Sequence, residues 1–153
     1  MKIFRRPFSK SNTVFEVKFF TVIFVLLGLV VLPNTEFTIL GFLFLVVVCF
    51  CVMHIFISQL YYIILIDTTL IIQNRVYSFW RKEVRYIDIA KVRIKWHGDK
   101  SYPYMKIITR KSSRISWRYT IDLVDPQDYK ALVEAIEAKG VTVETKGIDR
   151  YLS

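Results

Sequence analysis

Cys51 and His54 stand one helical turn apart in an apolar stretch, the spacing at which a thiolate and an imidazole could share a metal ion. A metal needs further donors, and no second ligand pair occurs within the stretch. Cys49, two residues before Cys51, points another way along a helix and cannot bridge to it. His54 is therefore expected to be a polar residue near a helix end that hydrogen-bonds a neighbouring helix, and His97 a lone loop residue. Asp122, Asp125 and Asp128 form a second group. Their places at a strand end and in a first helical turn assign them to capping rather than to metal binding. The chain has five glycines, no Gly-rich phosphate loop, and no serine with a histidine and an acid at motif spacing. With no convergent groups, no enzyme, catalytic residue, cofactor or metal is expected. What remains is charge. Lys91, Arg93 and Lys95 alternate with Val92, Ile94 and Trp96, so a strand here puts three cations on one face and three apolar side chains on the other. Such a face suits an acidic protein partner or anionic lipid headgroups.

The element that places this face is an apolar hairpin. Between Phe19 and Ile57 there is no lysine, arginine or aspartate, and the only charge is Glu36, beside the Pro33-Asn34 break. Phe37 to Ile57 is 21 residues, about 31 Å of helix against a bilayer core of roughly 30 Å. The first run, Phe19 to Leu32, has 14 residues and spans only if its helix starts near Val14, with Lys18 snorkelling to the headgroups. A secretory signal is the competing reading, but Leu32-Pro33-Asn34-Thr35 offers no small-x-small cleavage site and a second span follows at once. The short link makes the two helices antiparallel neighbours. Lys2, Arg5, Arg6, Lys10 and Lys18 precede the first helix, Arg75, Arg81, Lys82 and Arg85 follow the second, and the loop between has no basic residue. Both termini are therefore expected in the cytoplasm, with the protein multi-pass in the cytoplasmic (inner) membrane. The net charge of +9 falls on the same side, and Tyr61 and Tyr62 fit an aromatic belt there. The expected segments are a basic cytoplasmic stretch at 1–13, a two-helix transmembrane hairpin at 14–60 (about 14–32 and 37–60), and a cytoplasmic domain at 61–153.

Past the hairpin the pattern shifts to period two. Tyr61 to Ile66 and Leu70 to Ile72, separated by Asp67-Thr68, read as a strand hairpin. Glu83 to Ile87 and Tyr104 to Arg110 are weaker strand candidates, and residues 97–101 form a loop. From Arg114 to Leu123, Ile115, Trp117, Tyr119, Ile121 and Leu123 are expected on a buried face, with Arg114, Ser116, Arg118, Thr120 and Asp122 on a solvated one. The last helix is punctuated by Asp125 as N-cap, Pro126 at its first position and Gly140 as terminator. Tyr129, Leu132, Val133 and Ile136 form its buried stripe. About six antiparallel strands and one such helix predict a small, partly open barrel capped at its end.

The order of these segments resembles a family. An apolar helix pair running straight into a strand, then Asp67-Thr68-Thr69-Leu70-Ile71-Ile72, then Tyr86-Ile87-Asp88-Ile89-Ala90-Lys91-Val92, and Ile121-Asp122-Leu123-Val124-Asp125-Pro126-Gln127-Asp128-Tyr129 entering the last helix, is similar to the bacterial membrane-anchored pleckstrin-homology-like (PH-like) proteins. The resemblance implies an α+β membrane protein: a transmembrane hairpin followed by a PH-like bent antiparallel β-barrel of seven strands capped by a C-terminal α-helix. It implies a non-enzymatic binding or scaffolding role and carries over no catalytic residue. Phosphoinositide-binding relatives place cations around the first hairpin, whereas this turn is Asp67-Thr68-Thr69.

The expected partners are the bilayer itself, anionic lipid headgroups, an unidentified protein partner and further copies of the chain. Nucleic acid is not expected, because the aromatics fall on apolar strand faces rather than among the cations. A small subunit of a transport or channel assembly is the alternative. It is supported only by His54, Ser58 and Gln59 at one helix end and by Thr21 and Thr38 elsewhere.

Overall fold

The computed structural model describes residues 1–34, 39–98, 102–110 and 117–152, with the backbone alone over 30–34. The chain begins with a short strand, β1 (Lys2–Phe4), and after a 3-10 turn enters α1 (Asn12–Asn34), followed by α2 (Ile39–Ile57). Both helices are long and apolar enough to cross a membrane. They run antiparallel, since Phe20 near the start of α1 meets Phe56 near the end of α2 with ring centroids 5.2 Å apart. No residue of α2 is buried within the molecule.

Strands β2 (Tyr61–Leu65), β3 (Thr69–Asn74) and β4 (Arg81–Arg85) then form an antiparallel sheet whose order is β1-β2-β3-β4. The β-branched run of β2 pairs Ile63 with Ile72 and Leu65 with Leu70, and all four side chains enter the core. β1 covers the free edge of β2, with Phe4 opposite Ile63 and only 6% exposed. The basic segment 1–13, expected to stand apart from the domain, thus supplies an edge strand to it. A 3-10 turn at Tyr86–Asp88 carries the chain to the second sheet.

That sheet contains β5 (Ile89–Lys95), β6 (Tyr104–Thr109), β7 (Arg118–Thr120) and β8 (Thr142–Lys146) in the order β7-β6-β5-β8. The final helix, α3 (Tyr129–Glu137), buries Tyr129, Leu132 and Ile136 completely, each contributing about 1.5–3 kcal/mol of apolar transfer. Asp125 caps the 3-10 turn that leads into it, accepting from the Gln127 backbone N–H at 3.1 Å. Beyond Gly140, whose φ is +76°, the chain returns as β8 and lies parallel to β5. Gly147 ends β8 at φ +77°, where a Cβ would stand 2.0 Å from the Trp96 carbonyl oxygen, so only glycine fits there.

The sheets differ from expectation in closure and in burial. The resemblance implies seven antiparallel strands in a bent barrel, whereas the described residues form eight strands in two four-stranded sheets, one with a parallel edge, and close no barrel. Among the described residues only the bridge between Leu60 and Ile121 joins the sheets, because β1 and β8 take up edges that closure would have used. Trp117, expected in the core, is 72% exposed, whereas Asp122, expected in solvent, is 1% exposed. The cause is the shortness of β7, which begins only at Arg118 and leaves Trp117 beyond the sheet. Residues 114–116 of that expected strand lie outside the described residues, as do 99–101 of the expected loop.

Candidate functional site

The alternation of β5 has the expected result. Val92 and Ile94 are fully buried, and Lys91, Arg93 and Lys95 are half-buried on the outer face of the second sheet. The parallel register sets Arg93 beside Glu144 of β8, and Glu144 accepts from Lys91 Nζ and Arg93 Nε at 2.5 Å each. These hydrogen bonds, that from Lys91 foremost, hold the Glu144 carboxyl below the usual glutamate range. Lys95 instead lies beside Tyr104 and Lys146. One carboxylate therefore ties up two of the three cations named from the sequence.

The same face extends to cations that the reading of β5 alone missed. Lys106 of β6 lies opposite Arg93 on one side and Arg118 of β7 on the other. The Arg118 guanidinium sits 5.2 Å above the Tyr104 ring. Among the described residues the outer face thus carries Lys91, Arg93, Lys95, Lys106, Arg118 and Lys146 against Glu144 alone, and no acidic side chain pairs with Lys95, Lys106, Arg118 or Lys146. The alternation of Lys106 between Met105 and Ile107 could have revealed it. That it lies beside Arg118 is a matter of pairing.

Between the β7 edge of this face and the end of α2 lies an open cleft of about 720 Å³. Lys106, Arg118 and Thr120 form one wall, His54, Ile55, Ser58 and Gln59 the opposite one, and Trp80 and Trp117 stand beside it. The expectation that His54 bonds a neighbouring helix is corrected: its Nδ1 lies 3.1 Å from the hydroxyl of Tyr77, which comes from the β3–β4 turn. Its ring stacks on Phe50 and meets Trp80 edge-on at 5.5 Å. Cys51 is exposed on α2, and no three histidine, cysteine or acidic side chains gather among the described residues. A second hollow of about 440 Å³ adjoins, flanked by Arg81 and Lys82 and by the exposed rings of Phe79 and Trp117.

Of the three aspartates assigned to capping, Asp125 caps the turn before α3, and Asp128 makes no side-chain cap bond. Asp122 caps a different helix from the expected one. Its Oδ2 accepts from the Thr13 N–H at 3.0 Å in the first turn of α1, and its Oδ1 accepts from Arg6 Nη2 at 2.6 Å. Arg6 N–H in turn donates to the Leu123 carbonyl at 2.7 Å, while Val14, Leu60 and Leu123 pack together beneath. Both ends of the hairpin are therefore fastened to the same corner of the domain. No family model, curated protein or solved structure matches this chain.

Proposed function

We propose that the chain is a multi-pass protein of a bacterial cytoplasmic membrane that holds a PH-like, non-enzymatic interaction module against the cytoplasmic surface. Support for the membrane part begins with α2, on which Ile39, Leu40, Phe42, Leu43, Phe44, Val46, Val47, Phe50 and Ile55 are each 48–82% exposed. At about 1 kcal/mol for each half-exposed side chain, this surface would cost on the order of 10 kcal/mol in water, as much as a whole domain's stability. A bilayer removes that cost. Because β1 and β2 are paired strands at opposite ends of the hairpin, its two ends lie on one side. The excess of Lys and Arg at those ends supports a cytoplasmic location for that side.

The observation that carries the interaction role is the outer face of the second sheet, which among the described residues has six cations and one carboxylate. A face so unbalanced steers and holds an acidic surface more than it stabilises the fold. Topology is tested with Cys49 and Cys51 replaced by serine. A cysteine at Asn34 should react with an impermeant thiol reagent on intact cells, and one at Glu137 should react only after lysis. The face is tested with a photocrosslinking residue at Tyr104 in native membranes. Adducts with an acidic protein that vanish on Lys95→Glu/Lys146→Glu support the reading, and adducts indifferent to that reversal overturn it.

A further inference from the structure

We infer that the 720 Å³ cleft at the end of α2 holds the headgroup of one anionic phospholipid, its phosphate on Lys106 and Arg118. This rests on the membrane reading of the hairpin and adds a defined ligand site to it. Lys106 and Arg118 are directly opposed across β6 and β7 and both line the cleft, and among the described residues no acidic side chain lines it to neutralise them. Like charges held side by side repel, and an anion between them removes the penalty.

The other wall says where the rest of the ligand goes. Ile55 is 57% exposed and continues the apolar surface of α2, while Ser58 and Gln59, directly after it, line the polar end of the cleft. Apolar surface gives way to hydrogen-bonding groups within one helical turn. That is the change a phospholipid makes between its acyl chains and its glycerophosphate. His54, on the same wall, is engaged through its Nδ1 by the Tyr77 hydroxyl. Trp117 is 72% exposed beside it, where an indole with an apolar body and a polar edge suits the headgroup level of a bilayer. A free phosphate would use the cations and leave the apolar side of the cleft wet. The volume falls in the range of small-molecule sites and accommodates a headgroup with its glycerol.

The test uses the full chain in nanodiscs of phosphatidylglycerol and phosphatidylcholine, with Trp80→Phe and Trp96→Phe so that Trp117 alone emits. Bromine on the phosphatidylglycerol chains should quench Trp117 far more than bromine on phosphatidylcholine at equal mole fraction. Each cation beside an anionic surface is worth about a factor of five, so Lys106→Glu/Arg118→Glu should cut the preference at least about 30-fold. Lys106→Gln/Arg118→Gln, which perturbs the fold less, should also abolish it, and Lys139→Glu, just past the end of α3, should leave it unchanged. Equal quenching by the two lipids with Lys106 and Arg118 in place, or a preference that survives both double variants, overturns the site. A sole tryptophan at Phe44 in the same discs reports on the hairpin. Its quenching by both lipids together with no preference at Trp117 sinks the lipid site alone, whereas its lack of quenching sinks the membrane reading.

Discussion

Replacing Asp122 by alanine tests the corner where the hairpin, β1 and the end of β7 meet. The carboxylate is 1% exposed and holds two donors, Arg6 Nη2 at 2.6 Å and the Thr13 N–H at 3.0 Å. Its removal leaves the Arg6 guanidinium, 12% exposed, without its counter-ion, and leaves one first-turn N–H of α1 with no acceptor. Val14 N–H keeps its bond to Ser11 Oγ, so only part of the cap is lost. Breaking a buried pair on one side costs about 3–5 kcal/mol, a large part of the 5–15 kcal/mol available to a domain. Asp122→Ala should therefore lower stability by about that amount in denaturant unfolding of the detergent-solubilised chain, followed by tryptophan emission. Trypsin should also gain access to Arg5 and Arg6 as β1 detaches. Arg6→Met/Asp122→Leu removes both charges and should recover about 2 kcal/mol, keeping the roughly 1–3 kcal/mol loss of the orphaned Thr13 N–H. The reasoning is refuted if Asp122→Ala costs under about 1 kcal/mol, or if the double variant is as unstable as the single one.

Phe4→Ala should cost about 3–5 kcal/mol, and a fragment starting at Leu60 should be less stable than one in which residues 1–13 are linked to it, since β1 closes the edge of β2; equal melting of the two fragments would count against that role. Trp117→Ala should change stability by less than about 1 kcal/mol, whereas Tyr129→Ala, which empties a fully buried site, should cost about 3–5, both read from unfolding midpoints. Gly140→Ala should cost about 1–2 kcal/mol for its positive φ alone, and Gly147→Ala distinctly more, because its Cβ also meets the Trp96 carbonyl; similar losses would show that the clash relaxes. Glu144 has a folded pKa below its unfolded one, so its small stabilising contribution is present above the ordinary glutamate value and fades as pH falls through the depressed one. Carboxyl NMR titration should show that low midpoint, returning toward normal in Lys91→Gln/Arg93→Gln.

Local chemistry was enough to read much of this molecule. The absence of Lys, Arg and Asp over Phe19 to Ile57 marks two apolar helices, because a helix needs only its own run of residues to satisfy its backbone. Period two places Val92 and Ile94 in the core with Lys91, Arg93 and Lys95 outside, and Gly140 follows the end of α3, although Asp125 and Pro126 open the 3-10 turn before α3 rather than α3 itself. What the tertiary structure decided depends on pairing across the chain. Lys2–Phe4 becomes a strand only because the edge of β2 offers it hydrogen bonds, and no local pattern announces a three-residue strand. The parallel return of β8 sets Glu144 between Lys91 and Arg93, from about fifty residues away. Alternation alone put Trp117 inside and Asp122 outside. The end of the sheet exposed the first, and Arg6, over a hundred residues earlier, buried the second. Periodicity assigns a side chain to a face, but what covers that face, and which charge meets it, is fixed only when distant segments come together.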